Sequence, residues 1–204
     1  PVETIASTCG RPADGMEIKL WHESNRDAEV AVGAIGELGV RGASLMLGYF
    51  GDQPGTESSF NRDGWFMTGD LARLDARGNL QIVGRKKDLI IRGGHNIHPA
   101  RIEDLTMRHE SVAKAAAFPV ADERLGERVC LAVILRPNQS VGPLELLAHL
   151  NDEGLSKYDM PEFFIALDSF PLTASGKVLK RRLAEMVLEG LLTPQPVRWQ
   201  APSH

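Results

Sequence analysis

The chain has 204 residues, of which 43% are hydrophobic and 25% are charged, a usage that is typical of globular proteins and excludes a disordered tail or a fibre. Its formal net charge of -4 gives no general attraction to nucleic acid or to an anionic membrane surface. Its two cysteines, Cys9 and Cys130, are too few for a disulfide framework or a thiolate metal site, so we expect a reducing, cytoplasmic compartment. No apolar run approaches the roughly 20 residues of a membrane span.

The first part of the chain carries short β-strand patterns separated by turns. Residues 16–20 alternate apolar and charged side chains, and residues 36–42 form a short strand pattern bounded by glycines. Residues 71–74 and 80–83 flank a turn that contains Asp, Gly and Asn, which predicts a hairpin because Gly and Asn tolerate positive φ. We therefore expect residues 1–84 to form a β-rich subdomain, either barrel-like or a sandwich.

The pattern changes after this hairpin, because helical spacing now alternates with strands. Helices are predicted to start at Pro99 and at Pro143, since proline favours the first helical turn and leucine or isoleucine follows at helical spacing. A third helix is predicted over residues 177–189. Apolar strands are predicted over residues 115–120 and 129–135.

These patterns together predict a mixed α/β chain made of two units. Residues 85–193 are expected to form an α+β carboxyl-terminal domain of ordinary domain size. Residues 194–204 begin with two prolines that cannot continue a helix, and we expect a loose tail there.

Two segments of the β-rich part carry charged residues suited to a nucleotide. Asp70 ends Thr68-Gly69-Asp70, which is either a capped polar turn or a carboxylate at a strand edge that accepts hydrogen bonds from two vicinal hydroxyls. Arg85 begins a run of three cations after a strand, which is either a solvated linker or a guanidinium for phosphate or ribose oxygens. The residues alone leave both alternatives open.

A glycine pair, Gly93 and Gly94, precedes the first predicted helix. It indicates either a tight turn or a place where a ligand approaches the backbone closely, since glycine lacks a Cβ and tolerates positive φ. His95 and His98 lie three residues apart, but no third Cys, Asp or Glu follows at a ligand spacing before the helix. We therefore expect no metal site.

Lys177 follows a glycine in the segment 171–177, Pro-Leu-Thr-Ala-Ser-Gly-Lys. The segment lacks the GxxxxGK[ST] pattern, which excludes the phosphate loop of nucleoside triphosphatases. A lysine at the tip of such a loop can still supply a mobile positive charge to a reacting phosphate.

The order of these motifs along the chain resembles the adenylate-forming superfamily, over about residues 10–190. The series looks like the carboxyl-terminal third of AMP-forming acyl-CoA synthetases. The segment Gly-Gly-His-Asn-Ile-His-Pro, followed by Arg-Ile-Glu, is similar to the CoA-ligase branch rather than to the amino-acid-activating modules of peptide synthetases.

The resemblance implies two half-reactions and a role for each motif. A carboxylic acid first reacts with ATP and Mg²⁺ to give an acyl-adenylate, which coenzyme A then converts to a thioester. Asp70 and Arg85 match ribose contacts, and Lys177 matches the catalytic lysine of adenylation. Lys87 matches the hinge about which the small domain rotates, and Gly93 with Gly94 matches the lining of the pantetheine tunnel.

The resemblance also implies a large amino-terminal domain as a partner within one longer polypeptide. The family's phosphate loop, adenine-binding segment and acyl pocket have no counterpart in this sequence. We therefore expect a piece of a synthetase of roughly 500 residues that is inactive alone. Two alternatives stay open: the adenylate passes to a carrier protein or is oxidised as in luciferases, or the chain is a stand-alone, non-catalytic lid-like binding module.

Overall fold

A computed structural model describes residues 8–199 and shows a mixed α/β chain. The chain divides into two compact units, Pro1–Lys87 and Asp88–His204. A short 3₁₀ helix, Lys86–Asp88, spans the boundary. The sequence pattern predicts this boundary three residues earlier, between residues 84 and 85. None of the helices in residues 8–199 is long and apolar enough to cross a membrane.

The first unit is built on one antiparallel sheet. Its elements are β1 (Met16–His22), β2 (Asn25–Glu29), β3 (Ile35–Gly42), α1 (Gln53–Ser58), β4 (Phe66–Leu74) and β5 (Leu80–Arg85). The strands are ordered β2-β1-β3-β4-β5. Because successive side chains point to opposite faces, one face packs Leu20, Leu38 and Ala72 together and the other packs Trp21 with Trp65.

The barrel-like description of this unit is too loose, because the sheet does not close. Within residues 8–199 the edge strands β2 and β5 each pair with one neighbour and not with each other. Five strands of five to nine residues are fewer than the roughly eight that form a filled barrel. The unit is therefore an open sheet.

The short helix α1 was missed by the sequence analysis. It buries no residue, so it shows none of the apolar periodicity that identifies helices. Its start is fixed locally instead: a proline occupies the first turn, and Asp52 Oδ1 accepts a hydrogen bond from the backbone N–H of Gly55 at 2.8 Å.

The second unit is a sheet with helices on both faces. Its elements are β6 (Ile90–Arg92), β7 (His95–Ile97), α2 (Pro99–Thr106), β8 (Val112–Asp122), β9 (Gly126–Leu135), α3 (Pro143–Asp152), β10 (Phe163–Ala166), α4 (Lys180–Leu188) and β11 (Gln195–Pro196). Strand β9 is central: it pairs antiparallel with β8 along its length and parallel with β10, and Gly126 faces Arg92 of β6. The helix starts predicted at Pro99 and Pro143 are confirmed.

The alternation of β8 and β9 supplies two apolar cores. On one face, Ala117 and Leu131 pack with residues of α2 and α3. On the other face, Phe118 and Cys130 pack with Leu183 of α4. Burial raises the pKa of the Cys130 thiol to about 12, because an apolar environment disfavours the thiolate.

The expectation of a loose tail is wrong for the part of it that the structure describes. Gln195 and Pro196 form β11, which pairs antiparallel with β10. Val197 donates its backbone N–H to the carbonyl of Glu162 at 2.8 Å, and Val197 and Trp199 pack against the core under α2 and α3. An unpaired strand edge and an apolar surface together hold the segment. Residues 200–204 lie outside the described residues.

Candidate functional site

Asp70 and Arg85 lie opposite each other on neighbouring strands of the first unit. They are Cα partners in the β4–β5 ladder, and Arg85 Nε lies 2.5 Å from Asp70 Oδ1. The segment that contains Asp70 lies within β4 and not in a turn after it, so the polar-turn interpretation is wrong. The Asp70 side chain is 29% exposed and that of Arg85 is 49% exposed. The pair therefore presents a carboxylate and a guanidinium to solvent at one place.

A second ion pair, which the sequence analysis missed, lies next to this one. The Glu37 side chain is 3% exposed, and its Oε2 lies 2.6 Å from Lys86 Nζ. A buried carboxylate needs such a cation, because an unpaired buried charge is strongly unfavourable. The signal available in the sequence was a charged residue inside an apolar strand pattern between glycines.

Lys87 directly follows the anchored Lys86. It is exposed in the short 3₁₀ helix. The ion pairs of the described part of the chain do not include it. The two compact units meet in sequence directly after this residue. Lys86 is thus fixed to the first unit, while the side chain of the next residue is left in solvent.

Gly93 and Gly94 form the turn that joins β6 to β7 in the second unit. Their φ angles are 58° and 85°, a region that L side chains rarely adopt. Both residues are exposed, and the Gly93 N–H donates to the carbonyl of Leu125 at 2.7 Å. The turn therefore offers bare backbone at a fixed place on the surface.

The two histidines near this turn have separate surroundings. His95 Nε2 lies 2.8 Å from Asp159 Oδ1, and His98 occupies the position before the first turn of α2. Residues 8–199 contain no group of three or more His, Cys, Asp or Glu side chains that could hold a metal ion.

Lys177 lies in a hairpin-like loop of the second unit. An isolated bridge between Leu172 and Val178 closes the loop, and the backbones of Thr173 and Lys177 are joined by a hydrogen bond of 2.8 Å. The Thr173 Oγ1 accepts a further hydrogen bond from the Lys177 N–H at 3.0 Å. The Lys177 side chain is exposed, and it makes no ion pair in the part of the chain that the structure describes. The loop therefore has an ordered backbone and an available ammonium group.

A further pair, Glu103 and Lys180, was missed as well. Glu103 Oε1 lies 2.6 Å from Lys180 Nζ and accepts a hydrogen bond from the Ala117 N–H at 2.7 Å. Burial raises the pKa of the Glu103 carboxyl, an effect that Lys180 and the Ala117 N–H oppose. The partners are separated by 77 positions, so no local pattern in the sequence indicates the contact.

The structure brings some of the predicted site residues together and leaves others apart. Asp70 and Arg85 are in direct contact. Gly93 and Gly94 share no hydrogen bond with the loop that carries Lys177 among residues 8–199, and the two segments are separate surface features of the second unit.

Comparison with known proteins shows what this chain is similar to. Residues 101–177 match the AMP-binding enzyme C-terminal domain, a range that ends on Lys177. The medium-chain fatty-acid–CoA ligase of Escherichia coli (strain K12) is 35% identical over 192 residues, or 94% of this chain. The chain carries the C-terminal domain of the AMP-binding enzymes. It spans about a third of the length of the curated relatives it matches, 34% in the E. coli ligase.

Solved structures are similar to this chain as well. ATP-bound MatB from Rhodopseudomonas palustris has a TM-score of 0.80 at 32% identity, over 88% of this chain and 35% of that one. The o-succinylbenzoate CoA synthetase MenE from Bacillus subtilis, in complex with its acyl-adenylate intermediate, has a TM-score of 0.78 at 34% identity, over 87% of this chain and 35% of that one. These proteins of known structure thus share the fold of this chain.

Proposed function

We propose that the chain is the carboxyl-terminal part of an ATP-dependent carboxylic acid:CoA ligase. The observation that supports this most directly is that Asp70, Arg85, Gly93–Gly94 and Lys177 follow in the order of the family's motifs, each at least partly accessible on its unit. Acid, ATP and coenzyme A are the proposed substrates. A large amino-terminal domain, as the length of the relatives suggests, is the proposed partner.

In this proposal Asp70 and Arg85 bind the ribose of ATP. A carboxylate can accept hydrogen bonds from both vicinal hydroxyls, and a guanidinium carries only donors, which suit the ribose oxygens. Their 2.5 Å contact holds the Asp70 carboxylate in one orientation. The two side chains therefore form a preorganised acceptor and donor.

Lys177 acts in the first half-reaction. A carboxylate oxygen of the acid attacks the α-phosphorus of ATP, a new C–O–P linkage forms, and the bond to the β-phosphate oxygen breaks to release pyrophosphate. Negative charge gathers where these groups meet, and the exposed ammonium can neutralise it there. Mg²⁺ would accompany the nucleotide, and we assign it no ligand among residues 8–199, because no cluster there suits a metal ion.

The second half-reaction uses the other surface of the second unit. We propose that this unit rotates about Lys87, so that Lys177 leaves and the backbone of Gly93–Gly94 lines the path of the pantetheine arm. The thiol of coenzyme A then attacks the acyl carbon, the acyl-oxygen bond to phosphate breaks, and AMP leaves. The exposed turn suits this role, because it presents no side chain to obstruct a narrow ligand.

The test uses the full-length ligase that carries this chain, with Lys177→Ala and the control Lys114→Ala. Lys114 is an exposed lysine of β8 in the same unit. ATP–pyrophosphate exchange and AMP release are measured over a panel of carboxylic acids that begins with medium-chain acids. We expect Lys177→Ala to lower the rate of adenylation by about 10²–10³. Thioester formation from preformed acyl-adenylate and the control should stay near wild type.

Two outcomes would contradict the proposal. If wild-type protein releases no AMP with any acid, the chain does not serve an acid:CoA ligase. If acyl transfer to a holo-carrier protein is faster than transfer to coenzyme A, the acceptor is wrong. The remaining alternative is a stand-alone binding module. It is tested by the mass of the native polypeptide, measured by immunoblot with an antibody against this chain. A band near the 22.3 kDa of the chain would favour that module.

A further inference from the structure

The carboxylate of Glu103 lies at the free edge of the sheet in the second unit. Among the described residues, β8 pairs with β9 and with no second strand. One backbone N–H of this edge, that of Ala117, donates to Glu103 Oε1 at 2.7 Å. The Glu103 side chain, which is 15% exposed, therefore accepts the hydrogen bond of a backbone N–H that pairs with no neighbouring strand.

The same carboxylate joins two helices that lie on opposite faces of the sheet. Helix α2, which carries Glu103, packs in the core with Ala117, whereas α4 packs in the core with Phe118. Lys180 of α4 reaches the carboxylate at 2.6 Å. The pair thus links the two layers around the edge of β8.

The start of α4 depends on this contact more than most helix starts would. Its first three residues, 180–182, are all cations, its first turn has no acidic residue, and no side chain caps it. Cations at a helix amino terminus are unfavourable, because the exposed N–H groups carry partial positive charge. Glu103 places a negative charge beside this turn and offsets part of that repulsion.

The loop that carries Lys177 is tied closely to the start of α4. Two residues separate Lys177 from Lys180. The Leu179 N–H donates to the carbonyl of Pro171 at 2.8 Å, so the start of the helix and the start of the loop share a hydrogen bond. A displacement of the first turn of α4 must therefore displace the loop.

We propose that Glu103 is a positioning residue for Lys177: through Lys180 it fixes the first turn of α4 and thereby the place of the Lys177 ammonium. This inference rests on the role proposed above for Lys177. Since only His98 separates β7 from α2, the same carboxylate also connects the helix next to the Gly93–Gly94 hairpin with the lysine loop. The two surfaces used in the two half-reactions would then move as one rigid body.

The activity test compares Glu103→Gln, Lys180→Met and the double variant in the full-length ligase. Glutamine keeps an oxygen for the Ala117 N–H but removes the charge that holds Lys180. We expect kcat for adenylation to fall about 10- to 100-fold, because small misplacements of a reacting group are that costly, with KM for ATP and acid near wild type. The double variant should be no slower than either single variant, since both remove one interaction.

Two controls separate positioning from general damage. Thioester formation from preformed acyl-adenylate does not use Lys177 and should stay within about twofold in every variant. Glu153→Gln removes a carboxylate that follows α3 and pairs with Arg108, away from α4, and should change neither half-reaction. If Glu103→Gln keeps full adenylation while Lys177→Ala abolishes it, the positioning role is wrong and the proposed function stands.

A structural measurement tests the inference even if the proposed function fails. Amide hydrogen exchange on the 204-residue chain reports the backbone of the loop and of α4 directly. In Glu103→Gln and in Lys180→Met, we expect the amides of Gly176, Leu179 and Leu183 to exchange at least about tenfold faster, while amides of α3 are unchanged. Unchanged exchange at these amides would overturn the proposal, whatever the ligase assay shows.

Discussion

The two units differ in where their apolar side chains lie. In the second unit, helices cover both faces of the sheet, and large side chains such as Phe118, Leu131 and Leu183 are almost completely buried. In the first unit the sheet holds two small clusters, and Leu47 and Phe50 are fully exposed at 102% and 107%. A sheet with helices on both faces buries large side chains in two continuous cores, whereas the open sheet buries fewer of them and the segment that contains Leu47 and Phe50 lies outside its strands. The first unit thus has the apolar surface expected of a part that packs against something else.

The units are alike in one respect, which concerns charge. Each contains a glutamate with a largely buried side chain, Glu37 or Glu103, held at 2.6 Å by a lysine. Lys86 directly precedes the proposed hinge, Lys87, and Lys180 closely follows the proposed catalytic lysine, Lys177. Because buried pairs often add little stability but fix geometry, we infer that both pairs serve to place a neighbouring functional residue.

The largest stability effect should come from the covered sheet. Phe118→Ala removes a fully buried ring from the core under α4 and is expected to lower the free energy of unfolding by about 3–5 kcal/mol. The matched change in the first unit, Phe50→Ala, should alter it by less than about 0.5 kcal/mol. Denaturant unfolding measures both. Equal losses in the two variants would remove the contrast between the units.

A smaller effect is expected from crowding between the two tryptophans of the first unit. A Cβ added at Gly39 would lie 2.4 Å from Trp21 Nε1, so Gly39→Ala must displace a buried indole and should cost about 1–3 kcal/mol. Gly142 of the second unit has no atom within 4 Å of such a Cβ, and Gly142→Ala should cost less than about 1 kcal/mol. Thermal melts of the two variants make the comparison, and a harmless Gly39→Ala would show that this cluster is loosely packed.

The Glu103 pair of the second unit predicts a pH dependence of the free energy of unfolding. Burial raises the folded-state pKa of Glu103, while Lys180 opposes and Asp104 reinforces the shift. Protonated Glu103 therefore contributes fully to the free energy of unfolding below the unfolded-state pKa of about 4.3. This contribution is lost as pH rises through the folded-state pKa. Relative to wild type, Glu103→Gln should gain stability over that window, measured by urea unfolding at several pH values. A difference that is constant with pH would contradict the shift.

The smallest stability effect concerns the exposed segment of the first unit. Leu47→Ser with Phe50→Ser should change the free energy of unfolding by less than about 0.5 kcal/mol, because neither side chain is buried. The 204-residue chain should nevertheless self-associate less, since exposed apolar patches drive association. Sedimentation velocity at rising concentration measures this. Unchanged self-association would show that a different surface of the chain is responsible for it.

The sequence predicted the elements whose signals are local. Proline in the first turn with apolar residues at helical spacing identified α2 and α3, and the turn between β4 and β5 identified their hairpin. Helix α1 was missed because it buries nothing, and β11 was missed because its partner, β10, is about 30 residues earlier in the chain. A helix or strand can be predicted from sequence where the periodicity of its apolar side chains reflects burial. It cannot be predicted in this way where it is defined only by hydrogen bonding to a distant strand.

The candidate site divides in the same way. Asp70, Arg85, Gly93, Gly94 and Lys177 stood out because motif order along the chain is readable without a structure. The two supporting pairs did not, because Glu37 meets Lys86 and Glu103 meets Lys180 only after strands and helices have packed. Sequence therefore indicates which groups would do the chemistry, and the fold shows which groups would hold them.

Cys130 can report on the opening of the core between α4 and the sheet of the second unit. Its thiol lies in the core under α4 with a pKa of about 12, whereas Cys9 is exposed. Since only the thiolate reacts with an alkylating probe, modification of Cys130 requires the layer above it to open. The rate of Cys130 modification can be measured by mass spectrometry, with the exposed Cys9 as an internal reference. This rate would report how often α4 separates from the sheet, and the measurement needs no engineered label.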